Sequence, residues 1–318
     1  MAEANVPEPG DRPRLIALDW GTSNLRASLL GEGGRVLDAR SASGGVMAVP
    51  ERRFAEALLA LCGDWIEAHH VPLIASGMIG SRQGWQEAPY LECPAGLADA
   101  AARLTRVKVD STLAHDIVLH IVPGLHVVGP DGLDDVMRGE ETQLWGADLP
   151  AGRCAVLPGT HSKWAWLGEG GQVTAFQTCM TGELFALLSL HSILGRLMVP
   201  GGASPAAFEQ GVRLGLAAPD QLLHALFSNR TAGLMDRLPG EALPDHLSGL
   251  LIGAEIGGAL RRGVVEPLAL IGDEALCGRY ELALSLAGLA SERVAAGATT
   301  RGQWRVAAAA GLLEEAAR

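Results

Sequence analysis

The sequence predicts an α/β protein built from two copies of one domain, and two observations carry this prediction. The first is an apolar segment, Leu15 to Leu18, that ends in a polar turn and is followed by a second apolar segment, Leu25 to Leu30. Short apolar runs bounded by turn residues are typical of buried strands. The second observation is that the same arrangement returns in residues 154–173, about half a chain later, which indicates a duplication.

The two copies align in both of their turns. Gly21-Thr22 corresponds to Gly159-Thr160. Further along, Gly31–Gly34 corresponds to Gly168–Gly171, and both of these segments have the sequence Gly-Glu-Gly-Gly. Each copy is therefore expected to form strand, Gly-Thr turn, strand, hairpin turn and strand. Two such turns that face each other across a cleft would hold one polyphosphate from both sides.

The first Gly-Thr turn has the composition of a phosphate-binding loop. Gly21 allows a sharp turn and a close approach of the backbone to a ligand. Thr22, Ser23 and Asn24 offer backbone N–H groups and short polar side chains to an anion. Asp19 is expected to act on phosphates through Mg²⁺ and its water ligands. An ordinary hairpin with a polar turn is the alternative.

Composition excludes several classes of partner. The chain has 318 residues, 48% of them hydrophobic, and a net charge of −11, which argues against nucleic-acid and acidic-membrane partners. No apolar run reaches the length of a membrane span. Five scattered cysteines predict reduced thiols and a cytoplasmic protein. We expect a polar, disordered tail at 1–14, followed by domains at 15–150 and 151–318.

The remaining pattern mixes helices and strands, as a layered α/β fold requires. In the first domain we expect strands at 15–19, 25–30, 35–40, 73–76 and 117–122, and helices at 50–69, 95–104 and 134–148. In the second we expect, after its three strands, helices at 181–197 and 247–261, broken helices across 200–245, a strand at 268–271, a helix that includes 276–286 and a closing helix at 306–318.

Two stretches are candidate parts of a small-molecule site. The strand at 73–76 ends in a glycine-rich loop, and such loops often bind ligands; Ser76, Gly77, Met78, Arg82 and Trp85 are the candidates, against a plain surface loop. The segment 134–148 connects the two halves. A connector at a domain interface can place polar side chains in a cleft, and its candidates are Arg138, Glu140 and Glu141, against a solvated helix face.

The basic residues of the second turn are unusual for this chain. Of 25 basic residues, only Lys108 and Lys163 are lysines. Lys163 follows the second Gly-Thr turn directly, and an ammonium group suits a phosphate oxygen or a substrate hydroxyl.

These motifs resemble a known superfamily. Asp19-x-Gly21-Thr22-x-x-x-Arg26 is similar to the first phosphate motif of the actin, hexokinase and sugar-kinase superfamily, Gly159–Trp164 lies where its second phosphate motif belongs, and Leu270–Gly272 lies where its adenosine motif belongs. More narrowly, residues 76–81, 137–143, 157–164 and 247–253 resemble the 2-dehydro-3-deoxygalactonokinase family, and the likeness spans nearly the whole chain.

The resemblance implies an actin-like ATPase fold, with two duplicated ribonuclease H-like domains and a nucleotide cleft between them. It implies ATP and Mg²⁺ as cofactors and phosphorylation of 2-dehydro-3-deoxy-D-galactonate at its 6-hydroxyl, a step in galactonate breakdown. ATP phosphates would be bound by the first turn with Arg26 and by Gly159, Thr160, His161 and Ser162, and Gly272 would lie at the adenosine. Lys163 or Arg26 would offset charge on the transferred group.

One departure from the superfamily pattern affects the catalytic base. Many of its sugar kinases have an aspartate at the start of the second phosphate motif, where this chain has Leu157-Pro158. We expect Glu140 or Glu141 to serve as the base, with His161 as the alternative because its ordinary pKa lies near neutrality. The substrate carboxylate needs a cation, for which Arg82 and Arg138 are candidates.

Two rival functions are open at this stage. One is a kinase of another sugar or sugar acid with the same fold, and the other is a non-enzymatic, actin-like nucleotide switch that binds proteins. The chain lacks a long C-terminal peptide-binding region, which argues against the switch. A homodimer is compatible with the sequence, which does not determine the oligomeric state.

Overall fold

The computed structural model describes residues 12–111, 113 and 115–315, and these form two compact units. Unit 1 comprises the described residues up to Ala151, together with Leu167–Ala175 and the described residues from Ala295 onward. Unit 2 comprises Gly152–Trp166 and Phe176–Val294. Most of the predicted tail lies outside the described residues, but the backbone N–H of Arg14 donates to the Leu30 carbonyl at 2.7 Å.

Unit 1 begins with the predicted meander and continues through further strands and three helices. Its elements are, in chain order, β1 (Leu15–Trp20), β2 (Asn24–Leu30), β3 (Val36–Ser43), α1 (Phe54–His69), β4 (Leu73–Ser76), β5 (Tyr90–Glu92), α2 (Leu97–Ala102), β6 (Thr105–Val109), β7 (Ile117–Ile121), β8 (Gly124–Val128), β9 (Asp134–Met137) and α3 (Glu140–Ala147).

Unit 2 repeats the meander and adds helices and two short strands. Its elements are β10 (Cys154–Leu157), β11 (Ser162–Leu167), β12 (Val173–Cys179), α4 (Thr181–His191), α5 (Pro205–Ala217), α6 (Leu222–Leu234), α7 (Leu243–Leu260), β13 (Leu268–Leu270), α8 (Glu274–Leu286) and β14 (Ser291–Arg293). The hairpin at Leu167–Ala175 clusters with unit 1. The chain then adds α9 (Ala298–Ala309) and α10 (Leu312–Glu315) to unit 1.

The duplication predicted from the two turns is visible in the sheets. Unit 1 has the strand order β3-β2-β1-β4-β7-β6, and unit 2 has β12-β11-β10-β13-β14. In each, the first strand of the meander pairs antiparallel with the second and parallel with the strand that follows the first helical segment. The hairpin turns also match, since Gly33 has φ 66° and ψ 11° and Gly170 has φ 63° and ψ 16°.

Three of the predicted helices are wrong in extent. The helix expected to run from 181 to 197 begins at Thr181 but ends at His191. Residues 134–137 form strand β9, which pairs with β8 in a small sheet of order β5-β8-β9, and the helix begins only at Glu140. The closing helix begins at Ala298, not at 306, and is interrupted at Gly311, which has φ 73°. A residue with positive φ ends a right-handed helix.

The division into compact units differs from the contiguous halves that the sequence suggested, because α9 packs in unit 1. Gln303 of α9 is fully buried, and its Nε2 donates to the Leu18 carbonyl at 2.6 Å and to Ser76 Oγ at 2.9 Å. Helices α3 and α9 are in close contact, because Gly146 and Gly302 leave no room for a Cβ between them. These contacts fix the ends of β1 and β4 relative to α3.

Each unit has an apolar core of its own. In unit 1, Phe54, Leu58 and Trp65 recur at helical spacing in α1 and pack on the larger sheet. In unit 2, α5 and α7 pack closely because glycines such as Gly211 and Gly253 face the backbone of the other helix. All five cysteines are free thiols. Within the described part of the chain, no helix is long and apolar enough to cross a membrane.

Candidate active site

The first Gly-Thr turn joins β1 to β2 and exposes its polar residues. Gly21 N–H donates to the Asn24 carbonyl at 3.0 Å, and the side chains of Thr22, Ser23 and Asn24 lie at the surface. Gly45 covers the turn from one side: a Cβ there would lie 2.2 Å from the Thr22 carbonyl carbon. The turn is thus supported on one side and open to solvent on the other.

The prediction that Gly21 is needed for a sharp turn is wrong. Neither Gly21 nor Gly159 has a positive φ, so the sharp turn itself does not require glycine. A Cβ at Gly21 would meet its nearest neighbour, the Asn24 carbonyl oxygen, at 3.8 Å, and a Cβ at Gly159 would meet nothing within 4 Å. Glycine at these two positions leaves open space beside the backbone, which a ligand can occupy.

Asp19 lies at the end of β1, directly opposite Arg26 in the antiparallel register. Its Oδ2 is 3.5 Å from Arg26 Nη1, and its side chain is about one-third exposed. Burial raises the pKa of Asp19, the neighbouring Arg26 opposes that rise, and the negative charge of Glu140 adds to it. The predicted Arg26 contact with phosphate stays a prediction, since in this structure the guanidinium lies beside Asp19.

Two glycines bring the start of α3 close to Asp19. Gly77, after β4, has φ 93°, and a Cβ there would lie 2.9 Å from the Trp20 carbonyl oxygen and 3.7 Å from Asp19 Oδ1. Gly139, directly before α3, has φ 109°, and a Cβ there would lie 3.3 Å from Gly77 Cα. The two backbones therefore touch, and Glu140 is placed where its charge acts on Asp19.

The two adjacent glutamates of α3 have different surroundings. Glu141 is fully buried; its Oε2 accepts from Gly139 N–H at 2.6 Å and its Oε1 from Thr142 Oγ1 at 2.9 Å. Burial, followed by the charge of Glu140, raises the pKa of Glu141 to about 7. Glu140 is half-buried, and its Oε2 accepts from the Arg138 backbone N–H at 3.2 Å. Glu141 thus stabilises the start of the helix, whereas the charge of Glu140 acts on Asp19.

Arg138 is a buried guanidinium whose hydrogen bonds are incomplete. Its side chain lies over the Tyr90 ring at 4.3 Å, and Nη2 donates to the Ala88 carbonyl at 2.8 Å. Its Nε and Nη1 are buried and have no hydrogen-bond partner among the described residues. Gly80 provides the space, because a Cβ there would lie 2.8 Å from Nη1. A buried cation with free donors is well suited to an anionic ligand.

The other residues predicted for the sugar-acid site differ from one another in exposure and in their contacts. Arg82 is 85% exposed and pairs with Glu87 at 3.0 Å. Trp85 stacks on Phe54 with ring centroids 6.0 Å apart, so it packs against the core of unit 1. Ser76 is fully buried and bonded to Gln303. Met78 is half-buried in the short turn after Gly77.

The second Gly-Thr turn, in unit 2, packs against the first turn of α4. A Cβ at Gly182 would lie 2.5 Å from the Gly159 carbonyl oxygen, and Glu183 N–H donates to the Thr160 carbonyl at 2.9 Å. His161 Nε2 is hydrogen-bonded to the Glu183 carboxylate. The imidazole that could serve as a base therefore already has an acidic partner.

Ser162 and Lys163 begin β11 and point to opposite faces of the strand, as successive residues do. Ser162 Oγ donates to Glu255 at 2.5 Å, and Lys163 Nζ donates to the His161 carbonyl at 2.9 Å. Both side chains are buried. Lys163 thus contacts the backbone of the turn that was expected to bind phosphate.

A cavity of about 530 Å³ opens beside this turn, within unit 2. Gly159 and Thr160 form one part of its wall, and Thr181, Asp273 and Tyr280 form another. Its volume is that of a typical small-molecule pocket. Gly272 follows β13 after one intervening residue and has φ 152°. The next residue, Asp273, caps α8 by accepting from the N–H groups of Ala275 and Leu276.

Sequence reasoning missed four residues that support these turns: Gly45, Gly182, Glu255 and Gln303. The two glycines are needed because another backbone lies too close for a Cβ, and no local pattern indicates that. Glu255 lies in an apolar stretch of its helix, and because a carboxylate is rarely buried without partners, that composition was an available signal. Gln303 lies in a helix with several other polar residues, so its burial could not be read from the sequence.

The fold defines a class of protein: this chain shares the fold of a solved sugar kinase. The structure of a ligand-bound xylulose kinase from Lactobacillus acidophilus superposes with a TM-score of 0.51 at 9% identity, covering 95% of this chain and 91% of that one. A crystal structure of a Sinorhizobium meliloti protein, to which 2-dehydro-3-deoxygalactonokinase activity is provisionally ascribed, superposes with a TM-score of 0.81 at 37% identity, covering 93% of this chain and 96% of that one.

The sequence comparisons narrow this class to one family. The model of the 2-keto-3-deoxy-galactonokinase family matches residues 19–306. The 2-dehydro-3-deoxygalactonokinase of Escherichia coli (strain K12) is 38% identical over 278 residues, which is 86% of this chain and 90% of the relative. The "Probable 2-dehydro-3-deoxygalactonokinase DgoK1" of Rhizobium meliloti (strain 1021) is 39% identical over 303 residues, 91% of this chain and 97% of the relative. The chain belongs to the 2-keto-3-deoxy-galactonokinase family.

Proposed function

We propose that this protein is a kinase that transfers the γ-phosphoryl group of ATP to the 6-hydroxyl of 2-dehydro-3-deoxy-D-galactonate. Membership of the family supports the reaction class. The observation that carries the substrate assignment is Arg138, a buried guanidinium with two unpartnered N–H groups on the segment that leads to Glu140. A sugar acid brings a carboxylate that can complete these hydrogen bonds, whereas a neutral sugar brings none.

The roles of the nucleotide-binding residues follow from the surroundings of the two turns. Thr22, Ser23 and Asn24 offer exposed polar groups to phosphate in unit 1, and Gly159 and Thr160 do so beside the cavity of unit 2. That cavity is suited to the adenosine. Lys163 holds the backbone of the second turn and adds positive charge there. The transfer is then mostly a matter of positioning and of offsetting charge.

The residues around Asp19 fit a Mg²⁺ ion. Asp19 and Glu140 are two carboxylates close enough to interact, and burial and mutual repulsion both disfavour charge on Asp19. Mg²⁺ prefers carboxylate oxygens, usually takes only one or two from the protein, and keeps several water molecules. We propose that Asp19 holds the ion through water. When bound, the ion would offset the charge of the phosphates.

Glu140 is the proposed catalytic base. It is half-buried near Asp19, so it can receive the proton of the attacking hydroxyl. Glu141 is fully enclosed by Gly139 and Thr142, and His161 is bonded to Glu183. We further propose a cytoplasmic protein; a homodimer stays a prediction.

The reaction is tested by a coupled assay of ADP formation with the purified chain and MgATP. We expect ADP to form in proportion to added 2-dehydro-3-deoxy-D-galactonate and to stop when that substrate is exhausted. ADP formation that is independent of the sugar acid would instead favour a nucleotide switch or a plain ATPase.

The substrate anchor is tested by comparing Arg138→Ala with Arg82→Ala. We expect Arg138→Ala to raise KM for the sugar acid roughly 10- to 100-fold, because a charged hydrogen bond of about 1.5–3 kcal/mol is lost. Arg82→Ala is the matched control, since Arg82 is exposed and pairs with Glu87, and its KM should stay within about twofold.

Arg138→Lys adds a second comparison. It keeps the charge but not the planar fork, so an intermediate KM is expected. Steady-state kinetics on variants whose melting temperatures are known would check this. An unchanged KM in Arg138→Ala, or a larger rise in Arg82→Ala, would move the carboxylate site away from Arg138.

A further inference from the structure

Unit 2 contains a buried carboxylate that none of the proposed catalytic steps uses. Glu255 lies in the middle of α7, is 7% exposed, and is surrounded along the helix by apolar residues and glycines. Burying a carboxylate is costly unless its oxygens accept several hydrogen bonds. The role of the buried Glu255 carboxylate is therefore indicated by the side chains that donate hydrogen bonds to it.

Glu255 accepts hydrogen bonds from four side chains on three different elements. Oε1 accepts from Ser162 Oγ at 2.5 Å and from Trp164 Nε1 at 2.8 Å, both on β11. Oε2 accepts from Tyr280 Oη of α8 at 2.7 Å and from Thr181 Oγ1 at the start of α4. All four donors belong to unit 2.

These donors surround the second Gly-Thr turn. Ser162 follows the turn after one intervening residue, and Thr181 precedes Gly182, which touches the backbone of Gly159 and Thr160. Thr181 and Tyr280 also line the 530 Å³ cavity. One carboxylate thus joins the strand that leaves the turn, the helix that packs on it and the wall of the cavity beside it.

We propose that Glu255 is a positioning residue for nucleotide binding, which holds the Gly159-Thr160 turn against the start of α4 in the arrangement that receives the phosphates. The inference rests on the proposed function, because it assumes that this turn binds ATP. Glu255 acts from behind the cavity wall and does not touch the nucleotide. Losing it should therefore weaken nucleotide binding and leave the sugar-acid site, built in unit 1, unchanged.

The test uses Glu255→Gln, which has the same shape but replaces one acceptor oxygen by an N–H₂ group. Whichever oxygen is replaced, at least one of the two donors that bond to it must then reorient or lose its partner. We expect the Kd for MgATP, measured by calorimetry without sugar acid, to rise roughly tenfold or more, as the loss of a charged hydrogen bond implies. We expect KM for the sugar acid to stay within about twofold.

Asn229→Ala is the control for simple loss of stability. Asn229 is fully buried in unit 2 and its Oδ1 bonds to His246 Nδ1 at 2.9 Å, and neither of these two residues lines the 530 Å³ cavity. The Asn229→Ala variant should have a lower melting temperature than the wild type and the same Kd for MgATP. Trp164→Phe, which removes one donor and keeps an aromatic ring, should weaken nucleotide binding by less than Glu255→Gln.

Two outcomes would overturn the inference. One is a Glu255→Gln protein that melts at a lower temperature but binds MgATP as the wild type does, which would make Glu255 a purely structural residue. The other is equal weakening of nucleotide and sugar-acid binding. A wild-type chain that binds MgATP but does not phosphorylate the sugar acid would contradict the proposed function while leaving the role of Glu255 standing.

Discussion

Replacing Glu140 by glutamine is expected to reduce kcat by about 10²–10⁴-fold, the usual contribution of a positioned general base. The amide has nearly the same shape but cannot take the proton of the attacking hydroxyl. Glu140 is the half-buried member of the pair and its charge acts on Asp19, so the loss should fall on turnover. The Kd for MgATP should change little. Steady-state and single-turnover kinetics would measure both.

Glu141→Gln is the matched control on the next position of the same helix. Glu141 is fully buried and accepts from Gly139 and Thr142, so its replacement should act on stability and only mildly on kcat. Comparable small effects from both variants, together with a large loss in His161→Asn, would transfer the role of base to the second Gly-Thr turn.

Asp19→Asn is expected to leave the fold intact and to lower kcat by roughly 10²-fold or more, because the Mg²⁺ water shell loses its anionic anchor. The variant should also need a higher Mg²⁺ concentration for half-maximal activity. Burial already disfavours charge on Asp19, so the neutral amide should not destabilise the protein. Mg²⁺ titrations of turnover with a thermal melt of each protein would test both statements.

Asp64→Asn provides the control for loss of an ion-paired aspartate in the same unit. Asp64 pairs with Arg40 at 2.5 and 2.7 Å at an exposed position, and its replacement should leave kcat within about twofold. Near wild-type turnover of Asp19→Asn at limiting Mg²⁺ would show that Asp19 does not anchor the ion.

The repeated meander could be predicted because its information is local. Alternating turn residues and apolar runs define β1 to β3 and β10 to β12, and the matching Gly-Glu-Gly-Gly turns have nearly identical backbone angles. Strand β9 was missed because Asp134-Asp135 begins a segment of only four residues, which has too few apolar positions to show a period of two.

The candidate site could be predicted in its residues but not in their arrangement. Helical periodicity shows that Glu140 and Glu141 point in different directions, but not which of them is buried. Which of the two glutamates is buried is decided by the contact between Gly139 and Gly77, whose backbones touch although they are distant in sequence. Likewise, the incomplete hydrogen bonding of Arg138 depends on Gly80 and Tyr90, which pack around it from other segments.

Phosphorylation of one sugar acid at one position is tested by a substrate panel with product analysis. We expect kcat/KM for 2-dehydro-3-deoxy-D-galactonate to exceed that for neutral sugars and other sugar acids by roughly tenfold or more. We also expect a single product whose phosphorus couples to the C6 protons in NMR spectra. A higher kcat/KM for another sugar or sugar acid, or a phosphate at another hydroxyl, would show that the proposed function is wrong.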